Sequence, residues 1–383
     1  DLRMSRGLGD VYKRQLISYW LEGKVADDKI YYREPDFYEK NNVKVIFSVR
    51  AEKIENGCVV LDNGEKVQYD KLLVATGSKP FVPPMKDIDK VEDKFTFMTW
   101  DSAKAIREKV TAGTKVLIIG AGLIGLKCAE ALHHLNADIT VVDLADRILP
   151  SILDVRAGEI MQKHIEDKGT KFILGTSVEQ FSKNSAKLTN GETVDFDILV
   201  IAVGVRPNTE LVSDAGGKVE KGIITDLHQQ TTIDNVYAAG DCTVSHDCSS
   251  NTDRILALLP NAFMQGEVAG KNMAGEETLY LNAIPMNAIG FYGLHIITAG
   301  SYDGDEDITE DADKEIYKKL VFKDGLLKGF ILMGDVARAG IYTSMIKEQI
   351  PLTEVDLDLL RDKPQMMMFG KARREEKLAG KKH

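Results

Sequence analysis

The sequence predicts an α/β fold, two copies of a three-layer doubly wound unit followed by a smaller α+β domain, and three observations carry that prediction. The stretch Leu61 to Pro80, LDNGEKVQYDKLLVATGSKP, returns 127 residues later as LTNGETVDFDILVIAVGVRP. Between the copies lies KVLIIGAGLIGLKCAEALHHL, a β-branched run, three spaced glycines and then a helix-forming segment. Residues 279–383 instead carry adjacent strand runs, a hairpin turn and only then a helix.

Position by position, ten of the twenty residues in the two copies are identical, including Leu61/Leu188, Asn63/Asn190, Gly64/Gly191 and Asp70/Asp197. Unrelated segments of average composition would share about one or two. The register runs backwards without a gap through Glu39/Glu166, Lys44/Lys171, Ile46/Ile173 and Glu52/Glu179. A duplicated structural unit follows.

The middle segment satisfies the dinucleotide-binding pattern in full. Gly120, Gly122 and Gly125, with Leu123 and Ile124 between the last two, follow a strand and open a helix, and a second strand, ADITVVD, ends on Asp143, 23 residues after Gly120. Gly120 allows the tight turn, Gly122 lets the backbone approach a pyrophosphate, and Gly125 lets helix and strand pack closely. The helix N-terminus faces the anion. Asp143 accepts hydrogen bonds from ribose hydroxyls and repels a 2′-phosphate, which favours NADH over NADPH, with Arg147 four residues on pulling the other way.

Length and composition set the bounds. With 383 residues, 44% hydrophobic and 28% charged, the chain can fill two or three cores. No apolar run approaches the ~20 residues that span a bilayer, and a cytoplasmic location is the default expectation. A net charge of −10 argues against a nucleic-acid partner, which calls for a basic face. The tail Lys371 to His383, six Lys/Arg against two Glu, reads as a solvated helix end or as a docking patch for an acidic partner. The four cysteines do not form a disulfide framework: Cys58 reads as a strand core residue, Cys128 as a helix core residue, and Cys242, His246 and Cys248 match no common zinc spacing.

If the repeat unit binds a dinucleotide, the first copy needs its own glycine turn 127 residues before Gly120, at position −7. Residues 1–15, DLRMSRGLGDVYKRQ, offer neither a strand run nor the three glycines and read as a non-native leader, similar to translated sequencing-adaptor readthrough. The first βαβ is therefore expected to be missing, and the chain as it stands is expected to be an inactive fragment.

Residues 16 to about 350 resemble the FAD-dependent pyridine nucleotide-disulfide oxidoreductase superfamily, in its NADH oxidase, rubredoxin reductase and nitrite reductase flavodomain branches. The resemblance rests on YDKLLVATGSKP at 69–80, GAGLIG at 120–125, IAVGVRPN at 201–208, and VYAAGD at 236–241 followed by LLPNAFMQGEVAGKNMAG. It implies duplicated Rossmann-like domains, one for FAD (16–105 and 230–278) and one for NAD (106–229), and a C-terminal α+β interface domain (279–383) that forms a homodimer. It places Ala75, Thr76 and Gly77 against FAD, Gly240 and Asp241 at the ribityl chain, and the helix opening at Pro260 and Asn261 toward the flavin's pyrimidine edge. Gly204 is the NAD-side counterpart of Gly77, and Ala51 and Val178 occupy matching turns near the two adenines. Thr99 is expected to cap the linking helix, and Asp324-Gly325 to turn a hairpin ahead of a helix around YTSMIKEQI.

The chain departs from the superfamily pattern at two positions. Glu22-Gly23 stands where a redox Cys-Gly is expected, and Lys127 stands where a Glu commonly follows the last glycine by two residues. No cysteine precedes Cys58. Direct flavin chemistry is left: hydride passes from NADH to FAD, and electrons go on to a rubredoxin-like carrier or another redox partner, or to oxygen. Two other readings stay open, a thiol-disulfide reductase of the CoA-disulfide type whose cysteine precedes this sequence, and an NADH-binding sensor without turnover.

Overall fold

Lys115–Ile119 carries four consecutive buried residues, as a strand covered on both faces must, and a parallel sheet is built around it. In the computed structural model, which describes residues 2–5, 16–31, 33–55 and 57–378, this sheet has five strands: β1 (Lys94–Thr96), β2 (Lys115–Ile119), β3 (Asp138–Asp143), β4 (Lys171–Leu174) and β5 (Ile198–Ile201). Their order is β4-β3-β2-β5-β1, all parallel, so the order reverses between β2 and β5. Ahead of the sheet comes helix α1 (Leu16–Leu21), and between the strands run α2 (Trp100–Lys109), α3 (Leu123–His133) and α4 (Val155–Glu166). Thr99 caps α2 as expected, its Oγ1 accepting from Ser102 N at 3.1 Å.

One face of this sheet is covered by the three-stranded meander of Val178–Phe181, Ser185–Leu188 and Thr193–Asp195. Leu117, Ile119, Val142, Leu199 and Ile201 meet Phe181, Ala186, Leu188 and Phe196 there, with the two phenylalanine rings edge to face at 6.3 Å. Helix α3 packs on β2 and β3. The three layers predicted for the NAD copy are present.

The duplication reaches the backbone. Adding 127 to the bounds of the strands Lys44–Phe47, Cys58–Leu61, Lys66–Gln68 and Ser78–Pro80 gives Lys171–Leu174, Ser185–Leu188, Thr193–Asp195 and Val205–Pro207. The β-bulge between Ala51 and Lys53 recurs between Val178 and Gln180. Both Asn-Gly turns close in the same way: Gly64 and Gly191 sit at φ 83° and 92°, and Asn63 and Asn190 Oδ1 accept from the N–H groups of Glu65 and Glu192.

One expectation about residues 1–15 is corrected. Leu2–Ser5 is a strand, parallel to Lys44–Phe47 with Leu2 opposite Lys44 and Ser5 opposite Phe47. Thr140 to Asp143 lie opposite Lys171 to Leu174 in the same way in the second copy. The physical reason is the open ladder along Lys44–Phe47, whose backbone groups any extended segment can pair. Residues 6–15 lie outside the described residues.

The described chain divides into two compact units, Asp1–Leu72 with Thr76–Val219, and Leu73–Ala75 with Glu220–His383. The second holds α5 (Leu259–Met273) and a five-stranded antiparallel sheet of β6 (Met286–Phe291), β7 (Leu294–Gly300), β8 (Asp305–Asp311), β9 (Ile316–Lys323) and β10 (Leu326–Met333), in the order β6-β7-β10-β9-β8. Asp324 and Gly325, both at positive φ, turn the β9–β10 hairpin as expected. Tyr292 and Gly293 do the same between β6 and β7, a turn the sequence reading passed over. Helix α6 (Ala339–Lys347) lays Tyr342, Met345 and Ile346 on Leu320, Phe330 and Leu332. Burial pushes the Tyr342 hydroxyl up to about 12, and it donates to Leu360 O at 2.9 Å. Helix α7 (Lys371–Leu378) carries the described part of the basic tail, where Arg373 pairs with Glu354 at 2.8 Å. Among the described residues no helix is long and apolar enough to cross a membrane.

The repeat makes a direct test of turn strain possible. Gly64→Ala and Gly191→Ala should each destabilise the protein by about 1 kcal/mol, because both hold φ > 0 with open space around the missing Cβ. Chemical denaturation of the two single variants should give equal shifts.

Candidate functional site

The glycine turn at the end of β2 is shaped by what each glycine touches. A Cβ on Gly120, at φ 112°, would stand 2.4 Å from Ala202 O, and one on Gly125 would stand 1.9 Å from Gly120 O. Gly122 has nothing within 4 Å of its missing Cβ. Two glycines are therefore demanded by the protein itself, and the third is open to whatever lies above the helix. Gly122 is also the N-cap of α3 and has no side-chain cap, so the first N–H groups of the helix, at Leu123 and Ile124, are presented outward.

Asp143 does more than the sequence reading assigned. Its Oδ2 accepts from Ala121 N at 2.6 Å and its Oδ1 from Ala145 N at 2.7 Å. The carboxylate thus holds the glycine turn in place while half-buried, with lone pairs left for ribose hydroxyls. Leu149 N adds a bond to Ala121 O at 2.9 Å. Arg147 Nε is buried without a hydrogen-bond partner among the described residues, and its Nη1 pairs with Asp146. Val178 lies half-buried against the apolar layer under the sheet. Gly204, at φ 106° and open around its missing Cβ, follows β5 and accepts from Phe81 N.

The first-copy residues in this unit are engaged with the second copy. Thr76 Oγ1 donates to Asn208 O at 2.6 Å, Asn208 Nδ2 donates to Thr76 O at 2.9 Å, and Asn208 N bonds Gly77 O. Ala51 begins its strand at the bulge.

Helix α1 ends in a Schellman motif, with Gly23 at φ 79°, Gly23 N bonded to Trp20 O and Lys24 N to Tyr19 O. This turn places Glu22, whose side chain is 0% exposed, inside. The Glu22 carboxylate beside it, with Glu130 behind, holds the Lys24 ammonium above the usual lysine range. Lys127 pairs with Glu130 at 2.5 Å and stands 5.2 Å from the Tyr19 ring. All four cysteines are buried. Burial pushes the thiols of Cys128 and Cys248 up. Cys242 Sγ is directed at Ala239 O, and His246 pairs with Asp253.

In the second unit the Gly-Asp turn is fixed by a residue that the sequence reading missed. Gly240, at φ 85°, donates its N–H to Gln265 Oε1 at 2.8 Å. Gln265 is buried, and its Nε2 reaches Thr243 Oγ1 and Ser245 Oγ. A Gln one α5 turn after Asn261 was the signal available. Asp241 is half-buried and Ala75 exposed. Pro260 opens α5, which no side chain caps. Asn261 uses its side chain within the unit, donating to Ile284 O and accepting from Tyr280, so what it can offer a ligand is its backbone N–H. An uncapped 15-residue helix beside a glycine turn fits a cofactor with an electron-rich edge.

The family described as "Pyridine nucleotide-disulphide oxidoreductase" matches residues 7–266, and "Rubredoxin NAD+ reductase C-terminal domain" matches residues 285–350. The chain belongs to the pyridine nucleotide-disulphide oxidoreductase family. It is 32% identical over 355 residues to the NADH-dependent phenylglyoxylate dehydrogenase subunit epsilon of Aromatoleum evansii, covering 89% of this chain and 84% of that one. It is 28% identical over 330 residues to the NADH-rubredoxin oxidoreductase of Clostridium acetobutylicum, covering 85% and 82%. The fold matches the covalent putidaredoxin reductase–putidaredoxin complex with a TM-score of 0.85 at 22% identity, over 96% of this chain and 89% of that one. The protein is a nicotinamide-dependent flavin oxidoreductase whose cofactors are FAD and NADH.

The three glycines separate by test. Gly125→Ala should cost about 3 kcal/mol of stability, as a forced overpacking against backbone. Gly122→Ala should cost no more than about 1 kcal/mol, as an N-cap change in open space, and yet weaken ADP-ribose binding. Thermal unfolding and ADP-ribose titration of the two variants check the split.

Proposed function

We propose that this chain is an NADH:acceptor oxidoreductase that delivers electrons from FAD to a small electron-carrier protein. The observation that carries the reading is the pairing of an open, uncapped cradle at Gly122 with a thiol-free approach: Glu22 stands at the position where a redox cysteine is expected, and every cysteine is buried. The match of residues 285–350 to a rubredoxin reductase domain and the likeness to an NADH-rubredoxin oxidoreductase support the carrier.

In this reading the N–H groups at the start of α3 and the open face of Gly122 hold the dinucleotide's pyrophosphate, while Asp143 orients the adenosine ribose and disfavours a 2′-phosphate. Val178 and Gly204 line its course. FAD, when bound, supplies a hydride acceptor that can release electrons onward. Ala51, Ala75, Thr76, Gly77, Gly240, Asp241, Pro260 and Asn261 are the residues we assign to it. Asp241 accepts ribityl hydroxyls, and the opening of α5 stabilises negative charge at the pyrimidine edge. The FAD pieces are 16–105 and 230–278, the NAD domain 106–229, and 279–383 forms the interface of a cytoplasmic homodimer.

Stopped-flow reduction of the flavin should be faster with NADH than with NADPH. Asp143→Ser should narrow that gap at some cost in stability, since the serine cannot hold both Ala121 and Ala145. Equal rates for the two nucleotides in the unsubstituted protein would remove the assignment of Asp143.

Replacing Cys58, Cys128, Cys242 and Cys248 by Ala should leave NADH-driven reduction of rubredoxin largely intact, with a loss of stability from the cavities at buried sites. Loss of turnover in a Cys242→Ala protein that keeps its FAD would restore a thiol mechanism. Oxygen consumption that outpaces rubredoxin reduction would make oxygen the acceptor.

A further inference from the structure

Two hydrogen bonds hold the Asn261 amide where α5 begins. Its Nδ2 donates to Ile284 O at 3.0 Å and its Oδ1 accepts from the Tyr280 hydroxyl at 2.9 Å, with Asn261 1% and Tyr280 6% exposed. Burial pushes the Tyr280 hydroxyl up, so it stays a donor at any working pH. Tyr280 is itself fixed, packed with Leu256, Val268 and Ala283, and its backbone N–H donates to Leu227 O at 2.8 Å. A buried pair of this kind adds little net stability, because two apolar side chains of the same shape would serve nearly as well. What the pair does is fix the direction of one amide.

That direction decides what the start of α5 offers. The first four N–H groups of a helix have no acceptor inside it. Here Leu258 N bonds Leu256 O at 2.7 Å and Pro260 has no N–H, which leaves the N–H groups of Leu259 and Asn261. An asparagine in the first turn can accept from such groups itself. Yet no side chain caps α5, because the Asn261 amide is turned toward Tyr280 and Ile284. One turn further on, Gln265 accepts from the Gly240 N–H at 2.8 Å, so the open helix end and the Gly240-Asp241 turn keep a fixed relation.

We propose that Tyr280 is a positioning residue for the flavin: it holds the Asn261 amide away from the helix start, and so keeps two N–H groups free for the cofactor's pyrimidine edge and raises its reduction potential. Negative charge grows at that edge on reduction, so donors aimed there favour the reduced form. The proposal rests on the reading that α5 opens toward FAD, and amide exchange, which needs no cofactor, separates the two.

Tyr280→Phe removes the hydroxyl and keeps the ring, and it would be read in two ways on the full chain. Residue-resolved hydrogen exchange follows the Leu259 and Asn261 amides without FAD, and dye equilibration gives the flavin midpoint potential with FAD bound. With its Oδ1 left unpaired in a buried site, Asn261 should take up a helix-start N–H, and exchange there should slow about fivefold, as one net hydrogen bond predicts. The potential should fall by about 30 mV, a tenfold change in a two-electron equilibrium. Tyr280→Met, which also lacks the hydroxyl, should act alike. Adding Asn261→Leu leaves no amide to turn back, and should return both readouts toward those of the unsubstituted protein, which a loss of packing alone would not do. Unchanged or faster exchange in both Tyr280 variants would overturn the role of Tyr280. Slower exchange with an unmoved potential would overturn the placing of α5 against the flavin, and the proposal with it. Failure of the unsubstituted chain to take up FAD would do the same.

Discussion

The contact between Gly125 and the carbonyl of Gly120 sets the rest of the nucleotide unit. Helix α3 can begin where it does only because its third residue has no side chain, since a methyl there would stand 1.9 Å from the oxygen. This close approach brings the helix axis down onto β2 and leaves its uncapped N–H groups directly above the strand's end. The same turn is anchored from β3 through Asp143 and from the following loop through Leu149. Two neighbouring stretches, about twenty and thirty residues further along the chain, thus hold the same turn in position.

Asp143 has a structural duty beside the binding duty proposed for it. It ends β3, and accepts from the glycine turn with one oxygen and from its own loop with the other. A substitution made to alter nucleotide choice therefore also loosens the cradle. Gln265 plays the comparable part in the second unit, where its amide reads the Gly240 N–H on one side and two hydroxyls on the other.

What was legible in the sequence was whatever repeats or obeys a local rule. The 127-residue register predicted a duplicated unit, and the structure carries it to strand bounds, a bulge and Asn-Gly turns that close alike. The glycine fingerprint, the Thr99 cap and the Asp324-Gly325 hairpin are local rules of the same kind. What was not legible depended on contacts distant in sequence. The burial of Gln265 and Asn261 follows from packing against Thr243, Ser245 and Tyr280, which no periodicity announces. Glu22 was noted only through the family resemblance, and its enclosure follows from how α1 rests on α2 and α3. The pairing of Leu2–Ser5 comes from an open ladder on a strand some forty positions away.

The two copies also meet. Ser78–Pro80 pairs antiparallel with Val205–Pro207, and the central pair is Lys79 opposite Arg206, each the other's counterpart 127 residues away. Like charges face each other there, and the side chains diverge: Lys79 binds Glu210, and Arg206 lies 4.2 Å from the Phe81 ring centre. The contact has the symmetry of an isologous dimer interface written into a single chain. Between separate molecules such a contact would weaken on dilution. Here the connecting segment sets a fixed effective concentration, and the pairing of the two halves is independent of how much protein is present.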